Sequence, residues 1–162
     1  MKQLLFYTAF FAFIVLLCPF GVLAQDSSKN KPSTIEQKIT NKDFTFVANW
    51  ANPMSSATRQ LTSYYNLTVN KDSLIVDLPY FGRSYTAPLD PTNIGININA
   101  VGFEYSFVKK KKDRWDITIV PKDRTDVQSF SMTVYDDGTA YLNVTCSNRN
   151  PISYNGRLEE KK

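Results

Sequence analysis

The feature that most constrains this chain is a period-two alternation of apolar and polar residues, repeated in short segments along most of its length. Successive side chains of a β-strand point to opposite faces, so the alternation indicates strands with one face buried and one face in water. The apolar members are, in chain order, Phe44, Phe46, Ala48, Tyr65, Leu67, Val69, Leu74, Val76, Leu78, Ile94, Ile96, Ile98, Phe103, Tyr105, Phe107, Trp115, Ile117, Ile119, Phe130, Met132, Val134, Ala140, Leu142, Val144, Cys146, Ile152 and Tyr154. They predict about eight or nine short strands, the last of them ending before Gly156.

Turn signals separate these segments. Asn70-Lys71-Asp72 and Asp136-Asp137-Gly138 have hairpin chemistry, and Pro79 and Pro121 each close a strand. We therefore predict an all-β fold, an antiparallel meander closed as a small lipocalin-like β-barrel. Closure is favoured because it removes the exposed edges of a long sheet. A β-sandwich of two sheets is the alternative.

A short helix is predicted before the first strand. Ser33-Thr34-Ile35-Glu36 fits a capping box, in which the hydroxyl and the carboxylate bond the free N–H groups of a helix start. The helix is expected from about Thr34 to Thr40. Ile35 and Ile39 are four residues apart, so one face of the helix would dock on the sheet.

The N-terminus has the three parts of a secretory signal peptide. A basic start precedes the apolar run Leu4–Leu17, and Val22-Leu23-Ala24 precedes the expected cleavage site after Ala24. The run is short for a membrane span, which needs about 20 apolar residues. Acylation at Cys18 is an alternative, although Leu17 stands where a lipoprotein signal has a small residue. We expect export to the periplasm or the medium.

The chain of 162 residues is expected to hold one domain. Its parts would be the signal peptide, residues 1–24; a disordered leader, residues 25–32; a single β domain, residues 33–158; and a polar tail, residues 159–162.

Several catalytic chemistries are excluded by composition. Histidine is absent, which removes Ser-His-Asp and Cys-His catalysis and histidine zinc sites. The chain has no Walker loop, nucleophile elbow or dinucleotide fingerprint. Asp77, Glu104 and Asp116 are expected on polar strand faces, and the sequence does not align any two of them across a substrate. We therefore expect that the protein is not an enzyme, has no catalytic residue and binds no metal or cofactor.

Cleavage after Ala24 would leave Cys146 as the single cysteine, so no internal disulfide could form. Cys146 continues the alternation of its segment and is therefore expected on a buried strand face. A buried thiol without a histidine nearby is normally inert.

The one dense block of charge is formed by Lys109, Lys110, Lys111 and Lys112, in a chain of formal net charge +4. The block is expected at a solvated hairpin tip. It could also make a weak contact with an anionic lipid or polymer. Nucleic acid is not expected as a partner, because aromatic and basic residues do not interleave elsewhere. The protein is expected to be a monomer.

One segment departs from the alternation: Leu78-Pro79-Tyr80-Phe81-Gly82-Arg83-Ser84-Tyr85. Its rings and guanidinium suit a small binding surface. They equally suit a bent corner in which aromatic rings plug one end of the barrel and Arg83 caps carbonyl groups. A second unusual stretch follows Asn148. The candidate binding residues are Tyr80, Phe81, Arg83, Tyr85, Arg149 and Tyr154.

These stretches carry a resemblance. The run Leu78–Tyr85, with Phe44-x-Phe46 and the late Asn148-Arg149, resembles a family of exported Bacteroidetes proteins known as domain of unknown function 4251. The resemblance extends from about Ile35 to Leu158. It implies a small barrel-like β fold in an exported protein and no assigned activity.

The expected function is therefore that of a non-enzymatic binding domain of the cell envelope, with an unknown small ligand or an envelope protein as its partner. One version places a small apolar ligand in the mouth of the barrel. The alternative is a structural or protein-interaction module of the periplasm or outer membrane. A hydrolase is a third and weaker hypothesis.

Overall fold

The computed structural model describes residues 34–85, 95–111, 113–123 and 125–159. The predicted signal peptide, the leader and Cys18 lie outside these residues, as do Lys112 and residues 160–162. The described residues form one helix and nine strands. These are α1 Thr34–Asn41, β1 Asp43–Pro53, β2 Arg59–Asn70, β3 Ser73–Leu78, β4 Ile96–Val101, β5 Phe103–Lys110, β6 Arg114–Pro121, β7 Val127–Tyr135, β8 Thr139–Cys146 and β9 Ile152–Glu159.

All nine strands belong to one antiparallel sheet in the order β4-β3-β2-β1-β9-β8-β7-β6-β5. The sheet curls into a nearly closed barrel, which confirms the predicted all-β barrel fold. The first and last strands pair with each other, with Phe46 opposite Leu158. The alternating burial in most of the strands confirms that one face of the sheet is the core.

The meander has one break, between β4 and β5. A single residue, Gly102, separates Val101 from Phe103, and its φ of 96° lies in the region that glycine adopts readily. One residue cannot form a hairpin, so β4 and β5 become the two opposite edges of the sheet. The Gly102 N–H donates to the carbonyl of Asp72 at 2.7 Å, which fixes this corner against the β2–β3 turn.

The interior of the barrel is filled by side chains. The largest of them are Trp115, Tyr154, Phe44, Phe46 and Phe130, each at most 2% exposed. Cys146 lies on the inward face of β8 and is buried, as predicted.

The helix α1 covers the barrel end nearest the β2–β3 turn and the end of β9. Ile39 is fully buried and Ile35 packs against the core, so the predicted docking face is confirmed. The Tyr105 hydroxyl donates to the carbonyl of Ile39 at 2.9 Å, and the Lys38 ammonium donates to the carbonyl of Glu159 at 3.2 Å. No helix in the described residues is long and apolar enough to span a bilayer.

The last strand differs from its prediction. It does not end before Gly156 but runs through it to Glu159. A Cβ at residue 156 would overlap the Val47 carbonyl and lie 2.9 Å from the Phe46 ring. Glycine therefore belongs inside this strand because β1 approaches too closely for any side chain.

Candidate functional site

The segment after β3 folds back onto the loop between β8 and β9. Residues 84 and 149 form an isolated antiparallel bridge. The Tyr85 N–H donates to the carbonyl of Asn148 at 2.8 Å, and the Asn150 N–H donates to the carbonyl of Arg83 at 3.0 Å. We call residues 79–85 and 147–151 the clasp.

Tyr80 is the centre of the clasp. Its hydroxyl lies 2.9 Å from the carbonyl oxygen of Asn150 and 3.0 Å from that of Arg83, and it donates toward both. The Arg149 guanidinium carbon lies 4.9 Å from the centre of the Tyr80 ring, within cation–π distance. Burial raises the pKa of the phenol above its ordinary value. Gly82 has no room for a Cβ beside the Tyr80 hydroxyl.

Arg149 connects three loops. Its Nε donates to the Asp126 carboxylate before β7, and an Nη donates to the carbonyl of Gly95 before β4 at 3.2 Å. Burial disfavours the charge of Arg149, but the Asp126 carboxylate outweighs burial and raises the pKa of the guanidinium. The side chain that donates to a backbone carbonyl is therefore Arg149, not Arg83 as predicted. The carbonyl of Arg83 accepts from the Asn150 N–H, and the Arg83 side chain is exposed.

The other predicted residues lie around this centre. Tyr154 is fully buried in the core, where its hydroxyl donates to the carbonyl of Pro79 at 2.7 Å. Burial raises its pKa. The Arg59 guanidinium lies 4.8 Å from the centre of the Phe81 ring. The hydroxyl of the exposed Tyr85 donates a hydrogen bond to the Asn150 side chain. These contacts are those of a bent corner, one of the two interpretations of this segment.

A second region was not singled out by the sequence. The outward face of β6 to β9 is concave and forms an open groove of about 420 Å³. We call it the outer groove. Its lining residues carry hydroxyl, amide and two charged groups, and apolar atoms make up the larger part of the exposed lining. The residues are Arg114, Asp116, Ile117, Thr118, Ser131, Met132, Thr133, Tyr141, Leu142, Asn143, Ser153 and Asn155.

The strand register arranges the outward side chains in two rows across the sheet. Each residue of a row is the direct partner of the next. The first row is Trp50, Asn155, Tyr141, Thr133 and Asp116. The second row is Asn52, Ser153, Asn143, Ser131 and Thr118.

The charges of the outer groove are paired. The Arg114 guanidinium lies 3.5 Å from one oxygen of Asp116, and the Thr133 hydroxyl donates to the other at 3.1 Å. Two rings stand exposed on the same face, Tyr141 at 46% and Trp50 at 42%. The outer groove thus presents nearly neutral hydrogen-bonding groups beside aromatic surface.

Lys109, Lys110 and Lys111 lie at the end of the hairpin between β5 and β6, as predicted. Lys110 and Lys111 are exposed. The Lys109 ammonium instead lies 2.9 Å from the Glu36 carboxylate and 5.4 Å from the centre of the Trp115 ring. One lysine of the block therefore joins the hairpin to α1.

Asp137 and Cys146 lie where the sequence predicts them, in a turn and on a buried strand face. Asp137 lies in the β7–β8 turn, where its carboxylate accepts from the Thr139 N–H at 2.8 Å and from the Thr139 hydroxyl at 2.9 Å. The backbone hydrogen bond lowers the pKa of Asp137. Cys146 is buried, and burial followed by the Asp126 carboxylate raises the pKa of its thiol to about 11, against the opposing effect of Arg149.

The architecture defines a class: small all-β domains with a nearly closed antiparallel barrel, one end covered by a helix and the other by a folded-back strand extension. The model of a family described as a domain of unknown function, DUF4251, matches residues 26–158, so the chain belongs to that family. A crystal structure of a DUF4251 family protein from Bacteroides eggerthii DSM 20697 matches with a TM-score of 0.59 at 16% identity. That match covers 75% of this chain and 82% of the other. It shows a shared fold. Comparison with curated proteins gives no match.

Proposed function

We propose that the protein is an exported, non-enzymatic binding domain of the cell envelope and that the outer groove is its ligand-contacting surface. The observation that carries this proposal is the alignment of amide, hydroxyl and aromatic side chains of β9, β8, β7 and β6 in one open groove, with outward residues of β1 continuing the same rows. Its volume of about 420 Å³ falls in the range of ordinary small-ligand sites, about 300–1,000 Å³.

The packing of the barrel supports a surface site over an internal one. The inward positions hold large side chains such as Trp115 and Phe130, which are nearly inaccessible. A ligand in the barrel mouth would have to displace them, at a cost typical of disrupting a well-packed core. Export is proposed from the tripartite N-terminal segment that ends at Ala24.

A protein-interaction module is the second candidate, favoured by a different surface. Val101 on β4 is 80% exposed and Val108 on β5 is 54% exposed. Both strands are edges of the sheet, where backbone groups are available for pairing with another chain.

Native mass spectrometry tests the proposal on protein purified gently from the envelope fraction of its own host. We expect a reproducible extra mass on the wild-type chain and a processed N-terminus at Gln25. Tyr141→Ala and Asn143→Ala should lose the extra mass, and the exposed clasp variant Arg83→Ala should keep it.

Three results would contradict the proposal. A wild-type mass equal to that of the chain alone would show that no ligand is bound. Loss of the extra mass in Arg83→Ala with retention in Tyr141→Ala would move the site to the clasp. Retention in all variants together with a protein-sized adduct would favour the edge strands and the interaction module.

A further inference from the structure

We propose that the outer groove binds an uncharged polyhydroxylated chain, an oligosaccharide or a polysaccharide segment. This inference rests on the proposed function and names the ligand class of the same surface. It is argued from the charge, the hydrogen-bonding groups, the exposed rings and the shape of the outer groove.

Charge excludes most ionic ligands. Arg114 and Asp116 are the two charged residues of the lining, and they lie 3.5 Å apart, so each largely cancels the field of the other. The dense positive charge of the chain is at the β5–β6 hairpin instead, where Lys110 and Lys111 are exposed. A phosphorylated or sulfated ligand would find its complement at that hairpin, while the outer groove suits a neutral one.

The lining offers both donors and acceptors, as sugar hydroxyl groups require. Asn143 is exposed and Asn155 half-buried, and each side-chain amide has two donor hydrogens and an acceptor oxygen. The Asp116 carboxylate accepts hydrogen bonds beside the hydroxyl of Thr133. The Arg114 guanidinium lies beside that carboxylate, with one nitrogen 3.5 Å from its other oxygen.

The exposed rings supply the second requirement for binding a sugar. One face of a pyranose ring carries mainly C–H groups, and it packs against an aromatic ring with little loss of hydration. Tyr141 stands in the groove and is held by an edge contact with Tyr135, with ring centres 6.0 Å apart. Trp50 extends the same row beyond Asn155, so two stacking surfaces follow each other across the sheet.

The shape of the outer groove argues against a single enclosed molecule and against a flat protein partner. The rows run across five neighbouring strands and the groove is open, which suits a chain better than one enclosed molecule. Ile117, Met132 and Leu142 also line the groove, and their side chains belong to the core. A stable protein interface would need a larger apolar centre.

Fluorescence titration of the full chain with neutral hexasaccharides of glucose, mannose, xylose and N-acetylglucosamine tests the inference. Trp115 is 1% exposed and Trp50 42% exposed, so a ligand-induced change reports mainly on Trp50. We expect saturable binding of at least one hexasaccharide. Tyr141→Ala should weaken it by about tenfold, and Tyr141→Phe should retain most of it, because the ring does the stacking.

Asn143→Ala provides a second variant that leaves both rings in place, and it should weaken binding by several-fold through loss of its amide. Arg83→Ala is the matched control and should bind as the wild type does. The inference is overturned if no neutral hexasaccharide binds, or if dextran sulfate binds more tightly than all of them. It is also overturned if Tyr141→Ala and Asn143→Ala bind normally.

Failure of this inference differs from failure of the proposed function. One outcome is an extra mass in the native spectra that depends on the groove residues and survives treatment with glycosidases, while no hexasaccharide binds. That outcome would support a binding domain and contradict a sugar as its ligand. A bare native mass with no titratable binding would refute both.

Discussion

Gly156 controls the contact between the first and last strands, on which closure of the barrel depends. The carbonyl of Val47 and the ring of Phe46 occupy the space where a side chain at position 156 would lie. A methyl group there would force β1 away from β9, along the seam where Ala48 pairs with Gly156.

Gly156→Ala should therefore lower the free energy of unfolding by about 2–3 kcal/mol, the cost of overpacking a rigid core. Chemical denaturation measures the change. The neighbouring exposed variant Arg157→Ala is the control and should stay within about 0.5 kcal/mol of the wild type. Equal stability of the two variants would show that β1 and β9 are not in close contact.

Cys146 is expected to make the free energy of unfolding fall as the pH rises into the alkaline range. Burial raises its pKa from 9.0 to about 11, so the folded state holds the proton more tightly than the unfolded state. The resulting stabilisation is complete below pH 9 and is lost as the pH rises through 11.

Between pH 8 and pH 11 the wild type should lose about 1–2 kcal/mol more stability than Cys146→Ala, because alanine has no proton to release. Urea denaturation at several pH values measures the difference, and tyrosine titration is common to both proteins. Parallel pH profiles for the two proteins would contradict the buried, protonated thiol.

At the scale of elements, the clasp links the extension of β3 to the β8–β9 loop. Most of its side-chain hydrogen bonds go to backbone carbonyls, such as those from the Tyr80 hydroxyl to Asn150 and from Arg149 to Gly95. Arg149 also donates to the Asp126 carboxylate. Since the contacts are local and partly buried, they stabilise the end of the barrel without offering much surface to a ligand.

Tyr80→Phe should cost about 1–2 kcal/mol of stability, since the Asn150 carbonyl loses its donor in a partly buried place. The amides of Tyr85 and Asn150 should also exchange faster with deuterium, because their bonds close the clasp. Tyr85→Phe is the matched variant and should change the stability by less than about 0.5 kcal/mol, because that side chain is 70% exposed. Equal effects of the two variants would contradict a central role for Tyr80.

The elements that the sequence predicted well are those coded locally. The helix α1 follows from a capping box and from the spacing of Ile35 and Ile39, and β3 ends where Pro79 begins. The alternation of Ile152 and Tyr154 predicts a last strand that ends before Gly156. Its place inside β9 depends on how closely β1 approaches, which no local pattern encodes.

At the scale of the whole molecule, the topology explains why the outer groove escaped prediction. Asn143, Ser131 and Thr118 are ordinary polar members of separate alternating segments. They become neighbours only through the register of β6, β7 and β8. Composition, in contrast, drew attention to the clasp. The sequence contained its residues but did not reveal that Arg149, not Arg83, makes the carbonyl cap.

Pairing of β1 with β9 closes most of the barrel, and its interior is filled by side chains. The two strands joined at Gly102, β4 and β5, do not pair with each other. Outward faces are then the main surfaces left for recognition. Among these, the face of β6 to β9 is concave and nearly neutral. Tyr141 stands exposed on it, and Trp50 stands exposed beside it on β1.

Side-chain footprinting by hydroxyl radicals tests the central claim most directly, with labelling compared between the intact envelope and the purified chain. The account predicts that Tyr141 and Trp50 are protected in the envelope, while Tyr85 and Tyr64, which are 70% and 59% exposed, are labelled equally in both. Unchanged labelling of Tyr141 and Trp50, or protection of Tyr85 alone, would contradict the assignment of the ligand to the outer groove.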